Sequence, residues 1–211
     1  MRNIDDITLG RKGTPLVLII SRVAFAALMI FAIVTLFVRD LFPYSTLDFP
    51  WLGYLLGIYF LAEYVRSVFW KRNIDLSFAF PLIFAVALLH LTSVWLDGQT
   101  RFPLMNRAEH FTSYVLVTYT VWVFFIHYLP QRVWRKHIYY TALLVFSVAS
   151  AFGSLNEIIE LALERIFSSH LIGDQLDTSL DILMNSLGSG MFLAVRLILS
   201  AAEEQKQERK R

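Results

Sequence analysis

Residues 15–38 read PLVLIISRVAFAALMIFAIVTLFV, an apolar run broken by a single arginine. At a helical rise of about 1.5 Å per residue this run is as long as the hydrocarbon core of a bilayer is thick. The lead before it, MRNIDDITLGRKGT, is polar and basic, but the apolar run lacks a small-residue cleavage site. It therefore reads as a first membrane span and not as a secretory leader. The composition agrees. Of 211 residues, 56% are hydrophobic and only 17% charged, more apolar material than one soluble core of this size uses.

Working outward, six stretches are long enough to cross hydrocarbon, near 15–38, 50–70, 76–96, 110–129, 138–162 and 178–200. They predict an all-α fold, a polytopic membrane helix bundle of about six transmembrane helices forming one integral membrane domain over residues 1–211. Short connections rich in Pro, Asp, Gly and Arg, such as RDLFPYSTLDFP and LDGQTRFPLMNRAE, suit interfacial loops. The chain has no cysteine, which excludes a disulfide framework, a thiolate metal site and a cysteine nucleophile.

Orientation follows from the basic residues. The N-terminus, the second and fourth loops and the tail hold thirteen Lys and Arg, including Arg66, Lys71, Arg135 and Lys136. The odd-numbered loops hold four, Arg39, Arg101, Arg107 and Arg165. Positive charge is retained on the cytoplasmic side, so both termini are expected there, and the odd loops outside.

Under that topology the polar residues gather on the outer face. Asp174, Asp177 and Asp181 enter span 6, Glu157, Glu160 and Glu164 leave span 5, and each set shares one helical face. Arg107, His110 and Tyr114 stand one turn apart at the mouth of span 4. The patterns R-x-x-H over 107–110, E-x-x-E over 157–160 and G-D-x-x-D-T-x-x-D over 173–181 resemble the motif set of the YjdF-like bacterial inner-membrane proteins. Asp181, Asn185 and Gly188 are, more loosely, similar to the D-x-x-x-N-x-x-G helix start of the VanZ-like family, linked to glycopeptide resistance. The resemblance covers roughly residues 105–195, and it departs from the YjdF-like pattern in lacking a tryptophan-rich stretch after E-x-x-E. It implies a multi-pass protein of the bacterial inner membrane and carries no reaction with it.

The chemistry comes from the groups themselves. Carboxylates crowded at a low-dielectric boundary call for a counter-charge, and a divalent metal, Mg, Mn, Zn or Ca, is one. The expected ligands are His110, Glu157, Glu160, Asp177 and Asp181, with Glu157, Asp177 and Arg107 as candidates for catalysis and Arg107 as a phosphate partner. Asp174 a turn further out, Asn185 a turn deeper and Tyr114 would orient these groups. His90 and His170 are possible additional ligands on the outer side. The competing reading is capping, since acids near the start of span 6 answer the helix dipole; Glu157 and Glu160, toward a helix C-terminus, fit it poorly.

Two function classes follow. One is a metal-dependent hydrolase or transferase, or a binder, acting on a lipid-linked or glycolipid head group at the outer leaflet, with membrane lipid as its surroundings and no nucleic acid as partner. The other is a small-solute or cation transporter; a non-catalytic structural membrane partner is a third. Elsewhere, Arg22 and Glu63 are expected to pair at one depth, and Gly188 and Gly190 to form a packing face. Arg196 is expected to reach the cytoplasmic head groups. Trp51, Tyr54, Trp70, Trp95, Tyr128, Trp134, Tyr139 and Tyr140 are expected to form an interfacial belt.

Overall fold

The computed structural model describes residues 15–43, 45–71, 74–97, 101–167 and 175–208. Those residues form helices and connecting turns, with no strand among them. The helices are α1 (Pro15–Phe37), α2 (Phe49–Trp70), α3 (Phe80–Trp95), α4 (Pro103–Tyr128), α5 (Gln131–Lys136), α6 (Ile138–Phe167) and α7 (Gln175–Glu208). Six of them, α3 together with the 3-10 turn Ser77–Ala79 before it, are long and apolar enough to cross a membrane. The protein is an all-α, multi-pass membrane protein. Its contacts divide it into two compact units, Met1–Phe102 and Pro103–Arg211.

In the first unit α1 and α3 run in the same direction and α2 runs against them. Trp95 Nε1 at the end of α3 donates to Thr35 Oγ1 near the end of α1 at 3.1 Å. Arg22, early in α1, meets Glu63, late in α2, through two hydrogen bonds of 2.6 and 2.7 Å. The expected pair therefore forms, and Arg66, counted above as a loop charge, lies inside α2 and donates to the same carboxylate at 3.1 Å. α2 starts where it does because Asp48 caps it, accepting from Trp51 N at 3.0 Å, and Pro50 sits in its first turn.

In the second unit the helical period decides what faces inward. The buried stripe of α6 is Thr141, Ala142, Val145, Ala149, Gly153, Glu157 and Glu160, successive residues one helical turn apart over most of its length. It grades from small and apolar to acidic toward the C-terminal end. α7 buries Asp181, Asn185, Ser189 and Leu193 with the gradient reversed, and α4 buries Asn106, His110, Tyr114, Thr118 and Trp122 the same way as α7. Outward residues of α6 such as Leu143, Phe152, Leu155 and Ile158 are apolar and exposed, as a lipid-covered surface requires.

These gradients fix the packing. α4 and α7 lie parallel, joined by Thr118 Oγ1 donating to Ser189 Oγ at 2.8 Å. α6 runs against both. The close approach of α4 and α7 depends on Gly188: a Cβ there would lie 2.2 Å from the carbonyl oxygen of Phe111. Gly188 is thus the packing glycine expected, whereas a Cβ on Gly190 would meet nothing within 4 Å.

Two expectations change. Helix α4 begins at Pro103, seven residues before the expected span, because Asn106, Arg107 and Glu109 are satisfied inside the bundle and do not need a loop. Trp51, Tyr54, Trp95 and Trp134 are buried core residues and not part of an interfacial belt, while Trp70, Tyr139 and Tyr140 are exposed, as such a belt needs. Arg196 lies over the ring of Trp122, 5.6 Å from its centroid.

Candidate metal centre

Three helices of the second unit deliver the site. His110 lies two turns into α4, Glu157 and Glu160 lie in the C-terminal half of α6, and Asp181 lies two turns into α7. All four are buried. One ligand atom from each of His110, Glu157 and Asp181 lies within 4.8 Å of the other two, close enough to hold a metal ion.

His110 is the hub, and its two nitrogens meet different groups. Nδ1 lies within hydrogen-bond distance of Asn185 Oδ1, at 3.1 Å, and 3.9 Å from Glu157 Oε1. Nε2 lies 3.5 Å from Asp181 Oδ1 and 3.7 Å from Glu109 Oε2. Asn185 does here what a partner to a ligating imidazole does, holding the ring in place.

Arg107 binds the aspartates directly. One guanidinium nitrogen donates to Asp181 Oδ1 and, at 3.3 Å, to the backbone oxygen of Asp177; the other donates to Asp177 Oδ1. Asn106 Nδ2 adds a 3.3 Å bond to the same oxygen of Asp181. The guanidinium expected to receive a phosphate is therefore the counter-charge that holds two acids of α7 on α4. Asp177 lies a turn before Asp181, in the first turn of α7, the position the capping reading gives it.

Glu160 accepts from Asn156 Nδ2 at 2.8 Å, one turn back on its own helix, and is outside the three-residue group. Tyr114 is buried, with its ring edge against Gly153, where an added Cβ would lie 3.3 Å from Tyr114 Cε1 and from Asn185 Nδ2. Gly153 therefore makes room for both residues. Asp174 and His170 lie outside the described residues. His90, in the first unit, packs its ring against Trp51 at 4.3 Å between centroids.

Sequence reading missed Asn106, Glu109 and Ser113. Ser113 Oγ donates to Glu109 Oε1 at 3.1 Å, and both residues are buried. Their signal was available: 106, 110 and 113 share one face of a helix that starts at Pro103, and 109 borders it. The polar start of α4 read as a loop, so the face was not drawn.

No protein-family model, curated protein or solved structure matches the chain. The site must be judged on its atoms. Its donors are one imidazole and several carboxylates with no thiolate, a set that suits a divalent Zn, Mn or Mg ion. Two buried polar atoms, Glu157 Oε1 and Asn185 Nδ2, have no hydrogen-bond partner among the described residues. An orphaned carboxylate oxygen beside an imidazole is the defect that a bound cation removes.

Proposed function

We propose that the second unit is a divalent-cation site of a bacterial inner-membrane protein, opening on the outer face and binding or acting on a lipid-linked or glycolipid head group. The observation that carries this reading is the buried convergence of His110, Glu157 and Asp181 within 4.8 Å. The motif likeness to YjdF-like proteins supports the same residues and adds no reaction.

The outer face is supported by charge. Arg66 and Arg107 are paired with acids inside the helix packing, and without them twelve basic residues remain on the inner side against three on the outer. The acids sit at the end of the bundle that this assignment places outside. Beyond Thr118 and Ser189 the interior closes on Val121, Trp122, Ala142, Val145 and Leu193. That apolar seal supports a site reached from one side over a path through the bilayer, and so an enzyme or binder over a transporter.

A divalent ion at this place supplies Lewis-acid activation of water or of a phosphoryl oxygen, the chemistry of a hydrolase or transferase. The chain's own residues set the geometry. Arg107 and Asn106 hold Asp181, Asn185 holds His110, and Glu157 Oε1, without a donor, is the atom to ligate the ion or accept a proton from water. The apolar seal excludes solvent from the inner side.

The test is thermal unfolding of purified protein with Mn, Zn, Mg or Ca in turn. At a hundredfold excess over Kd, binding stabilises by ~2.7 kcal/mol, roughly 5–10 °C for a chain of this size. Asp181→Ala should remove the gain. No gain with any of the four ions overturns the reading.

A further inference from the structure

We propose that Arg22 and Arg66, gathered on Glu63, form a binding site for the phosphate of an anionic phospholipid, at the end of the first unit where α1 starts and α2 ends. The site lies apart from the cation site and stands or falls without it.

The charges of this cluster do not balance. Glu63 Oε1 accepts from Arg22 Nε at 2.6 Å and from the Tyr59 hydroxyl at 3.3 Å, while Oε2 accepts from Arg22 Nη2 at 2.7 Å and from Arg66 Nε at 3.1 Å. A carboxylate offers about four acceptor sites, so Glu63 is filled. Two guanidiniums share its one negative charge, and one positive charge is left over. Among the described residues, Arg22 Nη1 and both Nη atoms of Arg66 meet no acceptor. Two cations on one oxygen, inside an apolar span, call for a second anion.

The surroundings say which anion. On the buried side the cluster rests on aromatic rings: the Arg66 guanidinium lies 6.0 Å from the centroid of Phe80, and Tyr59 stacks on Phe25 at 4.1 Å. On the other side the Arg22 side chain is 39% exposed, and the same turns of α1 and α2 present Ile19, Val23, Phe60 and Tyr64, all exposed. An anion that arrives across that surface must carry an apolar body, as a phospholipid does. Arg22 and Glu63 lie about two turns from the helix ends, roughly 10 Å. The Arg22 side chain leans toward the start of α1, within reach of head-group phosphates. A guanidinium fork matches phosphate oxygens two at a time, and basic pockets between membrane helices take anionic head groups in this way. A zwitterionic lipid brings its own ammonium and leaves the surplus charge unanswered, so the ligand is an anionic one.

The experiment takes the full-length chain, delipidated in detergent, and titrates it by native mass spectrometry with phosphatidylglycerol, with phosphatidylcholine and with inorganic phosphate. Wild type should bind phosphatidylglycerol at least about tenfold more tightly than phosphatidylcholine. Arg66→Gln keeps a donor for Glu63 and leaves Arg22 paired, but removes the surplus charge, and should lose that preference. Equal affinity for the two lipids in wild type, or an undiminished preference in Arg66→Gln, overturns the inference. Inorganic phosphate that displaces phosphatidylglycerol at equal concentration marks a free-anion site and overturns the lipid assignment. Should Arg66→Gln not fold, a photoreactive phosphatidylglycerol locates the site on wild type. Its labels should fall on the turns of α1 and α2 around Arg22 and Glu63, and labelling that spares those turns overturns the inference.

Discussion

Arg107→Gln is the perturbation that separates a structural clasp from a cation site most sharply. The guanidinium pairs with both Asp177 and Asp181, and its side chain is 16% exposed, with those of Asp177 and Asp181 at 15% and 6%. Glutamine keeps most of the length and two N–H groups but no charge. It takes the guanidinium charge away from Asp181 and Asp177, in a region that also holds Glu109 and Glu157. Breaking a buried pair by removing one partner costs about 3–5 kcal/mol, which for a chain of this size lowers Tm by roughly 6–20 °C. A divalent ion at His110 and Asp181 replaces the missing charge, so the metal-dependent rise in Tm should be larger in Arg107→Gln than in wild type. The assay is a thermal scan of both proteins, stripped and with Mn or Zn. An equal drop in Tm with and without metal refutes the reasoning, because it means the ion does not share charge with the clasp.

The other predictions concern packing, pairing and topology. Gly188→Ala places a Cβ 2.2 Å from the carbonyl oxygen of Phe111, so α4 and α7 must part by roughly 1 Å; overpacking of this kind costs ~1–3 kcal/mol, and a variant as stable as wild type would contradict the close approach. Arg22→Ala and Glu63→Ala should each lower folded yield more than the double change does. Their coupling should fall in the ~0.5–3 kcal/mol range of residues in contact, and strictly additive losses would count against the pair. Reporter fusions at Lys136 and at the C-terminus should report cytoplasm, and one within 166–174 should report the outside. A cytoplasmic signal from that last position would move the site to the wrong face.

The membrane class and most span positions were legible in the sequence because lipid imposes a length and an apolar composition on each helix. The Arg22–Glu63 pair was legible for a related reason: a charge inside a span needs a partner at its own depth, and few were on offer. His110, Glu157 and Asp181 could be drawn to one end of the bundle from helix direction and facing alone. What periodicity could not carry was the start of α4. Asn106, Arg107 and Glu109 look like loop residues until partners on α7, and Ser113 on the same helix, satisfy them, and those partners are distant in sequence or hidden in the same face. The role of Arg107 was misjudged for the same reason. Nothing local in R-x-x-H tells whether the guanidinium reaches a ligand or two aspartates seventy and seventy-four residues away. The buried tryptophans show the converse. Trp95 near a span end suits an interface by composition, yet Thr35 on a neighbouring helix accepts its indole hydrogen bond within the core.

The central claim is that a divalent cation stands between His110, Glu157 and Asp181. The most direct measurement is an anomalous difference map from crystals grown with Mn or Zn and recorded at the metal edge. It should show one peak within ~2.0–2.3 Å of a ring nitrogen of His110 and of carboxylate oxygens from Asp181 and Glu157. An ordered structure in which Arg107 and water alone occupy that space, with no anomalous signal at either edge, would contradict the account.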